Sequence, residues 1–202
     1  MTTLNSLPPH ASSKLSIASE AIVLAADLQA GIADLALTVP SATLKKGVAA
    51  LMKLSRIFGI PKVITVVPGA DGVPSALMPE VEAARDGQAL LVRTTPNSFN
   101  DREIRETIEA SGRKTLIISG VATEVAVQMP ALTAAAEGYN VLVVVDACGG
   151  ISERTESAAL QRMTAAGVKI TSIAALIGEL AGDFTQPEGQ QAIGVLFELA
   201  GG

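Results

Sequence analysis

Apolar positions in this chain fall into short continuous runs, and between the runs lie longer stretches with helical spacing. AIVLAA at about 21–26 ends in Asp27 and reads as a buried strand. The same reading applies to KVITVV at 62–67, ALLVR ending at Arg93, the run at 115–119, VLVVVD at 141–146 and VKITS at 168–172. Helical patterns are expected at 41–58, 101–110, 124–137, 153–165 and 172–180. A shorter patch lies near 81–85, and one more helix, packing on a neighbouring subunit, is expected from about 187. Strands that are apolar throughout, alternating with amphipathic helices, predict a parallel sheet covered on both faces. Right-handed crossovers then give a three-layer α/β/α, doubly wound, six-stranded fold. The expected organisation is a loose, Ser- and Pro-rich N-terminal segment at 1–20 and a single domain at 21–202.

Composition narrows the function classes. Of the 202 residues 49% are hydrophobic and only 17% charged, so much apolar surface needs covering and a homo-oligomer is expected. The net charge of −5, without a basic stripe, argues against nucleic acid and anionic membrane as partners. Aromatic residues are 2% of the chain, too few for a base-stacking platform. Cys148 is the only cysteine, which excludes an internal disulfide and fits a reducing, cytoplasmic setting.

Ligands of doubly wound sheets bind beyond the carboxyl ends of the strands. Asp27, Arg93 and the turn from Gly120 to Ala126 each directly follow a strand there. Asp27 reads either as a general base or as a cap on the following turn. Arg93 reads as an anion holder or as a solvated strand-end charge. The turn passes from the strand into a helix at Thr123-Glu124, so several backbone N–H groups point at one spot. A thiolate at that first turn would be acidified, but the residue in place is Ala126, which is inert and by itself simply a good helix former. Other chemistries lack parts. His10 is the sole histidine, so a Ser-His-Asp relay or a histidine-built metal site is incomplete. No glycine-rich phosphate loop follows a strand. Cys148 reads as a small buried filler and Asp146 as a structural strand-end residue.

Three stretches together carry a resemblance. AADLQAG supplies an apolar strand ending in D-x-Q. SGVATEVAVQMPAL follows the pattern G-hydrophobic-x-T-(E/D)-x-C apart from its last position, and AAAEGYNVLVVVDACGG with ESAALQRMTAAG continues it. Over about residues 21–180 the chain resembles the isochorismatase-like cysteine hydrolases, most closely a bacterial branch of small oligomeric enzymes.

That resemblance implies an Asp-Lys-Cys triad cleaving a small amide or related C–N bond through a thioester. Asp27 matches the Asp, Arg93 stands where most members have Lys, and Ala126 stands where they have Cys. It also implies a cis peptide at Val121–Ala122, with the N–H groups of Ala122 and Ala126 facing the substrate oxygen. Gln29 of the D-x-Q motif and the loop residues Asn97, Ser98 and Phe99 are the expected substrate contacts for one small molecule. No metal and no cofactor are carried over. Two readings of Ala126 stay open: a hydrolase whose cysteine has been replaced, or a natural pseudoenzyme that binds a small molecule or serves as a scaffold. The retained Asp27, Arg93 and turn favour the first.

Overall fold

A computed structural model describes residues 17–201. Six strands form one sheet in the order β3-β2-β1-β4-β5-β6, every neighbouring pair parallel. They are β1 (Ala21–Ala26), β2 (Lys62–Val66), β3 (Leu91–Val92), β4 (Thr115–Val121), β5 (Asn140–Gly149) and β6 (Lys169–Thr171). The helices are α1 (Ile17–Glu20), α2 (Ser41–Ile57), α3 (Pro79–Glu82), α4 (Arg102–Ala110), α5 (Gln128–Ala136), α6 (Glu153–Ala165), α7 (Ile173–Ala181) and α8 (Pro187–Ala200). The three-layer doubly wound architecture is as the alternating pattern predicts. Side chains of α2, α3, α7 and α8 join one core on one face of the sheet, and those of α4, α5 and α6 join a second core on the other.

The winding direction reverses between β1 and β4. From β1 the chain builds outward to β2 and β3; from β4 it builds the opposite way to β5 and β6. The crevice beyond this switch point is where such sheets hold ligands. Close approach at the seam depends on Gly120: a Cβ there would lie 2.4 Å from the Ala26 carbonyl oxygen. A similar constraint seats α2 on β5, where a Cβ on Gly47 would lie 1.8 Å from the Asp146 oxygen.

Several boundaries differ from the sequence reading, each for a local reason. The N-terminal segment is not loose up to residue 20. Ile17–Glu20 forms α1, Ala18 is buried, and the Glu20 carbonyl accepts from the Lys114 N–H at 3.0 Å. Residues 1–16, including His10, lie outside the described residues. The strand expected to end at Asp146 runs on to Gly149, because β5 bulges: Val143 pairs with Ile118, but the next pair is Cys148 with Gly120. Ser119 Oγ donates to the Ala147 oxygen at 2.6 Å and pins the bulge. Asp146 is structural, its carboxylate accepting the Ile173 N–H at the start of α7. The helix expected from 124 opens instead with a π-helical turn, Thr123–Val127, before α5 begins. The last helix is present as expected: α8 packs on α2 and α7 of its own chain.

Candidate active site

The site begins with two buried charges. Asp27 follows β1 and is 1% exposed; Arg93 follows β3 and is 9% exposed. Neither tolerates burial alone, so each requires the other. Arg93 Nε donates to Asp27 Oδ2 at 2.7 Å and Nη2 donates to the same oxygen, while Nη1 is bound to the Thr95 carbonyl. The guanidinium reaches across the end of β2, where Thr65 Oγ1 donates to Asp27 Oδ1 at 2.9 Å. Asp27 takes a left-handed backbone conformation, φ 57°, which Asp adopts more readily than most residues. Its N–H donates to the Thr65 oxygen at 3.1 Å, so the residue is gripped at both backbone and carboxylate.

On the other side of the seam stands the turn after β4. The Val121–Ala122 peptide is cis. Two N–H groups were expected to face a substrate oxygen, and they differ. That of Ala126 donates to the Ala122 carbonyl at 3.0 Å, as does that of Val125, whereas that of Ala122 meets no backbone carbonyl among the described residues. Ala126 is 3% exposed, and its methyl joins the core containing Ala26, Phe99, Val127 and Cys148. The turn is tied outward by two carboxylates: Glu156 accepts from Thr123 Oγ1 at 2.7 Å, and Glu124 from the Ile151 N–H at 3.0 Å and Thr155 Oγ1 at 2.6 Å.

Some expected substrate contacts have other tasks. Gln29 is fully buried and saturated. Its amide donates to the Val67 oxygen at 3.1 Å and accepts the Val67 N–H at 2.8 Å, and it also reaches Ser75, buckling the exits of β1 and β2 to the 68–78 loop. Phe99 is a core residue, its ring meeting Tyr139 edge-on at 6.0 Å with the Arg105 guanidinium over it at 5.4 Å. Asn97 caps the turn after it, accepting the Phe99 N–H at 3.1 Å, and donates to Thr133 Oγ1 on α5 at 2.8 Å. Ser98 is buried beside it with its hydroxyl unpartnered. Cys148 is buried as expected, and burial pushes its thiol up to about 12, despite the Gly120 N–H contact that lowers it.

Thr65 was missed in the sequence. The available signal was a lone hydroxyl within an otherwise apolar buried strand, since such a group requires a partner. An open groove lies elsewhere. About 700 Å³ in volume, it runs beside α6 past Thr38, Glu156, Leu160 and Ile170, and touches none of Asp27, Arg93 and Ala126.

Comparison with known proteins identifies the family and its fold. The isochorismatase domain family matches residues 21–175. The Escherichia coli protein described as "Probable hydrolase YcaC" is 35% identical over 153 residues, which cover 75% of this chain and 73% of its own. A structure of YcaC from Pseudomonas aeruginosa with hexane-2,5-diol and covalent acrylamide superposes with a TM-score of 0.84 at 31% identity, covering 94% of this chain and 95% of that one. The Escherichia coli YcaC structure, described as an octameric hydrolase of unknown specificity, gives 0.83 at 32% identity, covering 96% and 92%.

Proposed function

The chain belongs to the isochorismatase family, and from that premise we propose that it is a cysteine hydrolase scaffold for small amides, silent because Ala126 occupies the nucleophile position. The observation that carries this reading is Asp27, held in the interior by Arg93 and Thr65 at the switch point of the sheet. A buried, oriented carboxylate one strand from a helix-opening turn is what a thiol at 126 needs as its base.

With a thiol there, Asp27 takes the S–H proton and the thiolate attacks the amide carbonyl carbon. The open Ala122 N–H faces the developing oxyanion, with the Ala126 N–H shared between that oxygen and its own helical bond; such donors are worth about 3–4 kcal/mol each in comparable sites. The proton on Asp27 passes to the departing amine nitrogen, leaving a thioester. Asp27 then accepts a proton from water, whose oxygen attacks the thioester carbon; the C–S bond breaks, the carboxylic acid leaves and Asp27 returns the proton to the sulfur. The part of Arg93 is to hold Asp27 aimed, through the two N–H groups it donates to Oδ2. Acrylamide is an electrophile that reactive thiols take up, so the covalent acrylamide of the Pseudomonas YcaC structure supports the same chemistry.

Association of subunits belongs to the same reading. Leu37 is 71% and Ile151 49% exposed, and they are neighbours, since the Leu37 N–H donates to the Gly150 oxygen at 2.8 Å. Together with the octamer described for Escherichia coli YcaC, this supports a homo-oligomer, which sedimentation at micromolar concentration tests. No helix of the described residues is long and apolar enough to cross a membrane, and a single buried thiol suits the cytoplasm.

The decisive experiment is Ala126→Cys. We expect its new thiol to take up iodoacetamide or acrylamide faster than a free thiol at pH 7 and a panel of small amides to reveal turnover, with none from the chain as it stands. A thiol of ordinary reactivity, with no amide hydrolysed, overturns the hydrolase reading and leaves a small-molecule-binding protein.

A further inference from the structure

Resting on the hydrolase reading, we propose that Thr65 is a positioning residue that selects Oδ1 of Asp27 as the oxygen that exchanges the proton. A carboxylate offers about two acceptor positions on each oxygen. Both positions of Oδ2 are filled by Arg93, through Nε at 2.7 Å and Nη2. Among the described residues Oδ1 carries one bond, from Thr65 Oγ1 at 2.9 Å, and keeps one position open. Proton exchange therefore falls to Oδ1, and Thr65 fixes where its remaining lone pair points.

The placement suits that task. Thr65 is fully buried, so no bulk water competes for its hydroxyl. Its β-branched side chain, in a strand, has restricted χ1 freedom. Its carbonyl holds the Asp27 N–H at 3.1 Å, and the next carbonyl, that of Val66, holds the Arg93 N–H at 2.9 Å. Two consecutive residues at the end of β2 thus align both members of the ion pair. In the step itself, the S–H bond of a thiol at 126 breaks, its electron pair stays on sulfur, and an O–H bond forms at Oδ1. The negative charge moves from Asp27 to sulfur while Arg93 keeps all its protons.

The test uses the full-length Ala126→Cys protein, with alkylation by iodoacetamide followed at pH 7 and the adduct located by mass spectrometry. Adding Thr65→Val, which keeps shape and removes the hydroxyl, should slow alkylation at 126 about tenfold, the size of one hydrogen bond to a charged group. Thr65→Ser should restore the rate to within about twofold, and Thr65→Val should add nothing once Asp27→Asn is present, because its effect runs through that carboxylate. An unchanged rate in Thr65→Val, an equal loss in Thr65→Ser, or a further full loss in the Asp27→Asn background each overturns the proposal. Circular dichroism melts report folding, and should Thr65→Val not fold, Thr65→Ala carries the same expectations. The two readings fail differently. A sluggish thiol in Ala126→Cys with Thr65 intact removes the hydrolase reading and this proposal with it, whereas a fast thiol indifferent to Thr65 removes this proposal alone.

Discussion

The two sides of the β1–β4 seam are built on different principles. On the Asp27 side, three polar residues from three strand ends satisfy one another away from water. On the Ala126 side, small apolar residues, a glycine contact and backbone hydrogen bonds make the shape, and the position proposed for a nucleophile carries a methyl in a packed core. The first side needs both of its charged members, because removing either strands a buried charge. The second holds its form through the main chain, so a sulfur atom is dispensable to the fold. On the proposed reading, a nucleophile is therefore the easiest part of such a site to lose, and the base the hardest.

The largest expected effect comes from breaking the charged side. Arg93→Met leaves Asp27 buried and unpaired and should destabilise by about 3–5 kcal/mol in urea unfolding, with much of the loss recovered in Asp27→Leu/Arg93→Met. If the single substitution costs under about 1 kcal/mol, the polar side is not the rigid one. Next is the seam itself. Gly120→Ala forces a Cβ to within 2.4 Å of the Ala26 oxygen, and strand separation there should cost about 1–3 kcal/mol, read as a fall in the urea midpoint.

Cys148 sharpens the comparison from the apolar side. Its thiol is held up to about 12 by burial, so the folded protein retains a proton that the unfolded chain gives up nearer the ordinary value of 9.0. The folded-state value is raised, so this contribution is whole below about pH 9 and fades as pH climbs towards about 12. By pH 10 roughly 1 kcal/mol of it is lost relative to pH 8, and Cys148→Ala should flatten that fall in the stability–pH curve. Native protein at pH 8 should leave Cys148 unlabelled by iodoacetamide. The smallest effect expected is that of Ala126→Cys, which should move stability by less than about 1 kcal/mol, as a turn held by its main chain requires.

Much of this was readable in the sequence. Continuous apolar runs that stop at Asp27, Arg93 and Gly120 mark strand ends, and a parallel sheet brings such ends to one edge. What stayed hidden depends on pairing through space. Gln29 was expected at the ligand from its D-x-Q motif and Phe99 from its loop near the site, and the fold engages both internally. Thr65 lay inside an apolar run, and only the register pairing it with Ala26 shows that it stands beside Asp27. The bulge in β5 and the π-helical turn at Thr123–Val127 leave the helix and strand periods nearly intact, so their apolar spacing looked regular.

The order of strands also bears on how the protein is made. β1 pairs on one side with β2, which follows soon in the chain, but on its other side with β4, whose Gly120 lies opposite Ala26. A ribosome adding about 5–20 residues per second takes several seconds to pass from the first of these partners to the second. In the second half of that interval the Asp27–Arg93 clamp has both its halves available, while the far edge of β1 still stands bare, an apolar strand offering its backbone to any neighbour. The nascent chain is thus most open to aberrant strand pairing just before β4 emerges, and substitutions that delay β4 should show first as lost soluble yield.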